Sequence, residues 1–368
     1  MQQVAQIERV YVLSNAAAGN AVSVWTTAPD GTLVPLGAVV PLVGLPAGYG
    51  PAGGYHPVPA FPTGGLGTGD VLVSQGALAL DQSRRFLYAV NPGSDDVSAF
   101  AVTPTGLRLL GRVGSGGVEP RSLAVHGDLL YVVNGFGHGH IAGFRLGPNG
   151  LPVPLAGSVR PLGSPDSGPA QVSFTADGRA LVVSELFADR ISVFPVGPDG
   201  LPGEPSENPS AGDTPFGFGI SRSGLLVVSE SARFRPGESA VSSYRLTGGK
   251  LRPVSRSIGT AQTATCWVAI TPDGRYAYTT NTGSGTITGY RITAKGTLTP
   301  LSRDGRTAVT GAVSLPVDVV ISGDGQVLHV LAQGRQAIVS FRIGSDGQLT
   351  PAPVSGGVPP LAVGMAIG

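Results

Sequence analysis

The sequence predicts an all-β fold, a seven-bladed β-propeller of four-stranded antiparallel blades. Three observations predict it. Glycine (57 residues) and proline (32 residues) are abundant and punctuate short apolar runs, as many strands joined by tight turns require. A four-residue element recurs along the chain. Each recurrence is flanked by the same order of strands and turns, and units of four strands at this spacing mark propeller blades.

The recurring element is Tyr-x-x-Asn, the anchor of each unit's second strand. It reads YVLS at 11–14, YAVN at 88–91, YVVN at 131–134 and LVVS at 181–184. It continues as LVVS at 226–229, YTTN at 278–281 and HVLA at 329–332. Beyond the first interval the spacing runs from 43 residues (88 to 131) to 52 (226 to 278). The stretch TCWVAITPDGRYAYTTNTGSGTITGYRI, residues 265–292, shows three of the four strands. WVAI is the first, TPDGR the turn, YAYTTN the second and TITGYRI the third. A second turn (GPNG, GPDG or GSDG elsewhere) then leads to a short fourth strand that begins with Leu. Glycine fits these turns because it reaches positive φ without a Cβ clash.

One blade cannot bury both of its faces, but seven packed around an axis can. Phe100, Phe144, Phe194, Tyr244, Tyr290 and Phe341 recur at one position of the third strand and are expected to fill the layers between blades. Unit one starts at its second strand, RVYVLS, while the C-terminal PPLAVGMAIG reads as an orphan first strand. Residues ~360–367 are therefore expected to pair into the blade built by residues 8–40. That pairing removes the free edges of an unclosed ring. The whole chain reads as one domain, with a Gly/Pro-rich insertion at 44–75 between the first two blades.

Composition narrows the function. With 24 Lys+Arg against 23 Asp+Glu, the net charge is +1, which gives no electrostatic footprint for nucleic acid or an anionic membrane. The single cysteine, Cys266, excludes an internal disulfide and reads as a buried, inert thiol. No apolar run approaches the ~20 residues of a membrane helix. The first fifteen residues carry neither a basic n-region nor an apolar h-region. Low charge and abundant glycine fit an exported protein or one of the cell envelope, with the cytoplasm as the alternative, and a monomer is expected. No cofactor is expected. HGH at 138–140 lacks the further ligands that a metal site needs.

In a propeller the first strand lines the channel. The loops between second and third strands share a face with the loops between blades. Here that face carries the irregular segments 44–75, 161–168, 204–214, 232–238 and 303–315, whereas the other face carries tight turns. Long loops on a rigid scaffold are where sites gather. After the anchors stand Asn15, Pro92, Gly135, Glu185, Glu230, Thr282 and Gln333. Only Glu185 and Glu230 are charged, and they sit in adjacent blades. The first strands bring Arg121, Gln171, Phe216, Trp267 and Asp318 to the same mouth. Paired carboxylates near an arginine can do general acid–base work or hold an anion. Glu230 is assigned as base, Glu185 as its partner and Arg121 as the third catalytic residue. Gln171, Trp267, Phe216, Asp318, Asn134 and Asn281 complete the substrate-binding set. Each has a structural counter-role. Arg190 and Arg233 could neutralise the two glutamates, Glu119 could cover Arg121, Asp318 could cap backbone amides, and Trp267 could fill the mouth.

The repeats TPDGRYAYTTNTGSGTITGYRI and DGRALVVSELFADRISVF resemble the seven-bladed lactonase family. That family includes bacterial 6-phosphogluconolactonases of propeller type and fungal carboxymuconate lactonizing enzymes. The resemblance runs from about residue 8 to the end. GLGTGDVLVSQGAL, NPSAGDTPFGFGIS, GESAVSSYRL and CWVAITPDGR are similar to an actinobacterial branch, whose members often begin with a secretion signal. The family's acidic positions are kept as Glu185 and Ser229-Glu230. Its Pro-His becomes Pro169-Ala170, its Pro-Arg-His becomes Pro215-Phe216-Gly217, and the mouth arginine, Arg121, lies in a different blade. No basic cluster remains to hold a phosphate. The resemblance thus implies a lactone hydrolase, or a related isomerase, acting on a small and largely uncharged ring. The alternative is a non-catalytic secreted propeller that binds a small molecule, glycan or protein through its loop-rich rim.

Overall fold

The structure is a computed structural model that describes residues 8–28, 32–37 and 58–368. The described residues form seven antiparallel sheets, each one blade of a propeller. Numbered in chain order, the second strands of blades 1 to 7 are Arg9–Leu13, Phe86–Asn91, Leu129–Asn134, Ala180–Glu185, Leu225–Glu230, Tyr276–Asn281 and Val327–Ala332. The ring closes as the sequence implies. Val363–Ile367 pairs antiparallel with Arg9–Leu13 as the innermost strand of blade 1, with Tyr11 opposite Ala366.

Local chemistry explains the repeat. At each turn between first and second strands in blades 4, 6 and 7, a hydroxyl donates to an Asp two residues on. The distances are 2.7 Å for Thr175–Asp177, 2.6 Å for Thr271–Asp273 and 2.6 Å for Ser322–Asp324. The same carboxylates accept the N–H groups of Arg179, Arg275 and Gln326. Such side chains imitate a backbone turn. The next residue is glycine with φ of 71°, 71° and 75° at Gly178, Gly274 and Gly325. The anchor tyrosines lock one blade to the next. Tyr88, Tyr131 and Tyr278 are buried and donate to the carbonyls of Gly150, Gly200 and Gly347, each in the following blade's outer turn. The third-strand aromatics predicted to fill the core are all buried.

Two expectations are corrected. In blades 4 and 5 the anchor alignment slips by one residue. Paired against their neighbours, Val182 and Val227 occupy the tyrosine position, while Glu185 and Glu230 occupy the asparagine position itself. Neither blade has the tyrosine that would have fixed the register in the sequence. The long loops also contain strand. Arg160–Pro161, Ala308–Val309 and Ser355–Gly356 pair with the third strands of blades 3, 6 and 7 beside shorter outer strands. Likewise Leu33–Pro35 and Ala60–Pro62 both pair with Ala21–Thr27. The Gly/Pro-rich segment therefore interrupts the outer strand of blade 1 before it crosses to blade 2. Its residues 44–57 lie outside the described residues.

Candidate functional site

On the loop-rich face, Leu72 to Gly76 cross the channel mouth. The Ser74 hydroxyl donates to the Arg121 carbonyl (2.8 Å) in blade 3. The Gln75 N–H donates to Ala170 O (3.0 Å) in blade 4. Its side-chain amide then bonds both backbone groups of Val268 in blade 6, at 2.9 and 3.0 Å. Trp267 donates its indole N–H to Ser74 O at 2.9 Å. Glycine is needed at 217, because a Cβ there would fall 2.2 Å from the side-chain amide oxygen of Gln75, Oε1, and 2.6 Å from the Cys266 backbone oxygen. The mouth is thus covered by the end of the Gly/Pro-rich insertion. Phe216 and Trp267 are buried, with ring centroids 4.8 Å apart. They fill the closed mouth and offer no open face.

The other first-strand candidates clamp neighbouring blades. Gln171 donates to Phe218 O (3.0 Å) and accepts Phe218 N–H (2.7 Å). Asp318 is buried and accepts Val319 N–H and Met365 N–H, both at 2.7 Å. Burial drives its pKa up to about 7 against those two amides. Arg121 keeps part of its surface exposed, but Glu119 holds its Nε at 2.8 Å and Nη2 at 2.7 Å. Cys266 is buried and its thiol is pushed up to about 12, too high to act as a thiolate.

The asparagine-position residues differ in the way that matters. Asn281 accepts the Thr265 hydroxyl (2.6 Å) and donates to Thr286 and Thr288 (2.9 Å each). Asn134 donates to Ser115 O at 3.2 Å, while its Oδ1 is buried without a partner. Asn281 ties three strands of its blade together, and Asn134 ties its strand to the connection arriving from blade 2. Glu185 has no exposed surface and faces Arg190, Nη2 to Oε2 at 2.8 Å. Arg190 Nε and Ser192 Oγ donate two further hydrogen bonds to Oε1, at 3.2 and 2.5 Å. Its charge is neutralised in place. Glu230 is equally buried, but its donors are Ser242 Oγ (2.5 Å), Ser257 Oγ (2.7 Å) and Gly212 N–H (3.0 Å). None is a cation. Arg233, its suggested partner, pairs with Asp189 instead. Burial raises the Glu230 pKa, and these three donors together with the Tyr244 hydroxyl only partly oppose it.

The hydroxyls around Glu230 escaped the sequence reading. They have a visible signal, since Ser98, Ser192, Ser242 and Thr288 stand at one third-strand position. Gly212 had none. A Cβ there would fall 2.3 Å from Glu230 Oε2, so only glycine lets the loop rest on the carboxylate. Among the described residues no three His, Cys, Asp or Glu side chains converge as a metal site requires.

A ring of seven four-stranded blades closed by its C-terminal strand defines a seven-bladed β-propeller. The chain belongs to the lactonase family of such propellers: the model "Lactonase, 7-bladed beta-propeller" matches residues 20–149 and 237–360. The unmatched stretch between them carries both Glu185 and Glu230. Among solved structures, the chain is similar to a protein of Bacteroides fragilis described as a candidate 6-phosphogluconolactonase. The two are 19% identical over 100% of each chain, with a TM-score of 0.74. It is also similar to the periplasmic gluconolactonase of Pseudomonas aeruginosa, at 16% identity and TM-score 0.72 over 98% of this chain and 99% of that one. At these identities the likeness is one of fold. No curated protein matches the chain by sequence.

Proposed function

We propose that this protein hydrolyses a small, largely uncharged lactone at the loop-rich rim over blades 4 and 5, with Glu230 as general base. One contrast carries the reading. Two glutamates hold equivalent positions in neighbouring blades; Arg190 neutralises Glu185, whereas Glu230 is buried with no cation. A buried carboxylate with a raised pKa is a stronger base and sits closer to neutral pH. Membership of the lactonase family supports ring-ester chemistry.

In this reading, Glu230 takes a proton from water as the water oxygen attacks the ring carbonyl carbon. The ring C–O bond breaks, and the leaving alkoxide takes the proton back. The product is a hydroxy acid, which ionises at neutral pH and releases one proton. The Gly212 backbone rests on the carboxylate and must shift to admit the ring. Arg121, part exposed on the same face, would bind the carbonyl oxygen with the guanidinium donors that Glu119 leaves over. Glu185 becomes a positioning residue rather than a base. The protein would act as a monomer on a small molecule, without a nucleic-acid or membrane partner.

Incubation with a panel of γ- and δ-lactones, followed by mass analysis, tests the reading. Gain of one water by a subset of the panel is expected. An unchanged panel favours the second reading, a binding module. That reading has its own support, since Phe136, Phe187 and Phe234 stand 66%, 62% and 46% exposed on the second-to-third-strand loops of three consecutive blades.

A further inference from the structure

With the loop-rich mouth closed, the axial channel opens at its other end. A cavity of ≈ 490 Å³ runs along the axis. Gln75 and Gly76 line its inner end. Gln82, His126, Ala176 and Arg222 line its entrance, at the turns between first and second strands. Its size falls within the ~300–1,000 Å³ of small-molecule sites. Leu80, Leu123, Val125, Val172 and Val320 give the walls apolar patches, while polar atoms make up the larger share of the lining. Such a pocket usually fixes its ligand with a few placed polar groups.

Asp318 also lines this cavity. Its clamp on Met365 does not explain its charge. Ser122 and Gln171 stand at the same first-strand position of blades 3 and 4 and accept the equivalent amides, Val172 N–H (3.1 Å) and Phe218 N–H (2.7 Å). Both are neutral. A buried carboxylate is costly unless something offsets it, and a neutral side chain would hold the strand as well. The other titratable lining groups are His126 and Arg222, at the entrance. Neither contributes to the surroundings of the carboxylate, which are burial and two backbone amides. The pocket thus presents one buried carboxyl that no cation touches, beside the apolar patches of the wall.

We propose that the channel is a second binding site, entered from the turn face, for a small organic ammonium ion with an apolar body, held by the Asp318 carboxylate. The ammonium supplies the missing cation through a charge-assisted hydrogen bond, and the apolar body packs on the walls. Binding favours the charged carboxylate, so near neutral pH it releases a proton from the protein. The site is separate from Glu230 and stands or falls independently of lactone hydrolysis.

Calorimetric titration with benzylammonium and benzyl alcohol at pH 6, in two buffers of different ionisation enthalpy, tests this. Wild type, Asp318→Asn and Ala176→Trp are compared. Ala176 is exposed at the entrance, so its replacement blocks the channel without disturbing the core. The expected result is at least tenfold tighter binding of the ammonium than of the alcohol, with proton release. Affinity should fall at least tenfold in each variant. Equal affinity for the two probes, or no saturable binding to folded wild type, would overturn the proposal. So would ammonium binding that survives in Ala176→Trp. Should Asp318→Asn fail to fold, Ala176→Trp and the proton release still decide.

Discussion

Glu185 and Glu230 end the second strands of adjacent blades in the same register, yet only Glu185 meets a cation, Arg190 at 2.8 Å. Each takes the place of an anchor asparagine and meets the same third-strand hydroxyl, which accepts from the asparagine in blades 2 and 6 and here, as Ser192 or Ser242, donates to the carboxylate. One acid is thus built into the frame, and the other is left as a base held by neutral donors.

Removing the partner of Glu185 should be costly. Arg190→Met strands a carboxylate with no exposed surface. A loss of about 3–5 kcal/mol is expected for a buried pair broken on one side. Urea denaturation measures it. The double variant Glu185→Gln/Arg190→Met should recover most of that loss, because the stranded charge is gone.

Gly212→Ala should harm the Glu230 site specifically. The new Cβ would meet Glu230 Oε2 at 2.3 Å and Ser257 Oγ at 2.5 Å. A clash with two side chains that are hydrogen-bonded to each other costs about 1–3 kcal/mol. Thermal unfolding reports the stability, and lactone turnover should fall further than stability alone explains.

The channel plug should be worth measuring by itself. Gln75→Ala deletes both bonds to Val268 and leaves the buried Val268 N–H without its acceptor. An unpaired buried amide costs about 1–3 kcal/mol. Hydrogen exchange at Val268 should accelerate. Unchanged protection there would mean that the plug does not hold the mouth.

Two buried groups give stability opposite dependences on pH. The Asp318 pKa in the folded state is raised to about 7 from 3.8. Its contribution is full below the lower value and is lost as pH rises through the higher one. His329 runs the other way. It is buried, with Nδ1 at 2.8 Å from Ser340 Oγ and Nε2 unpartnered. Burial lowers its pKa from 6.5 to about 4. Its contribution is full above 6.5 and is lost as pH falls through 4. The two windows overlap, so between about pH 4 and 7 the contributions change in opposite directions and largely offset each other in the wild type. Melting temperatures should therefore rise with pH across that window in Asp318→Asn and fall across it in His329→Asn.

The architecture was legible because turn chemistry and strand spacing repeat. The first-strand register was also legible, and Ser122, Gln171, Trp267 and Asp318 do share one position. The second-strand register failed where Val182 and Val227 replace tyrosine, since Val-Val-Ser-Glu aligns equally well one residue away. The plug was harder still. Gln75 and Trp267 act through partners 193 residues apart in the chain, and a Gly/Pro-rich segment has no periodicity to announce such a crossing. The difference between Glu185 and Glu230 depends on Arg190, which the sequence offered as a partner, and on Arg233, which it offered equally. Only geometry separates them, because Arg233 turns to Asp189.

The most direct test of the central claim is proton release in a pH-stat, with wild type and Glu230→Gln side by side on the γ- and δ-lactones of the panel. The account predicts turnover by wild type and a fall of about 10²–10⁴-fold in the variant, the usual worth of a general base. The rate should rise with pH along a limb displaced above the ordinary carboxylate range. Equal turnover by the two folded proteins would contradict the assignment of Glu230. No turnover by wild type across the panel would contradict lactone hydrolysis itself.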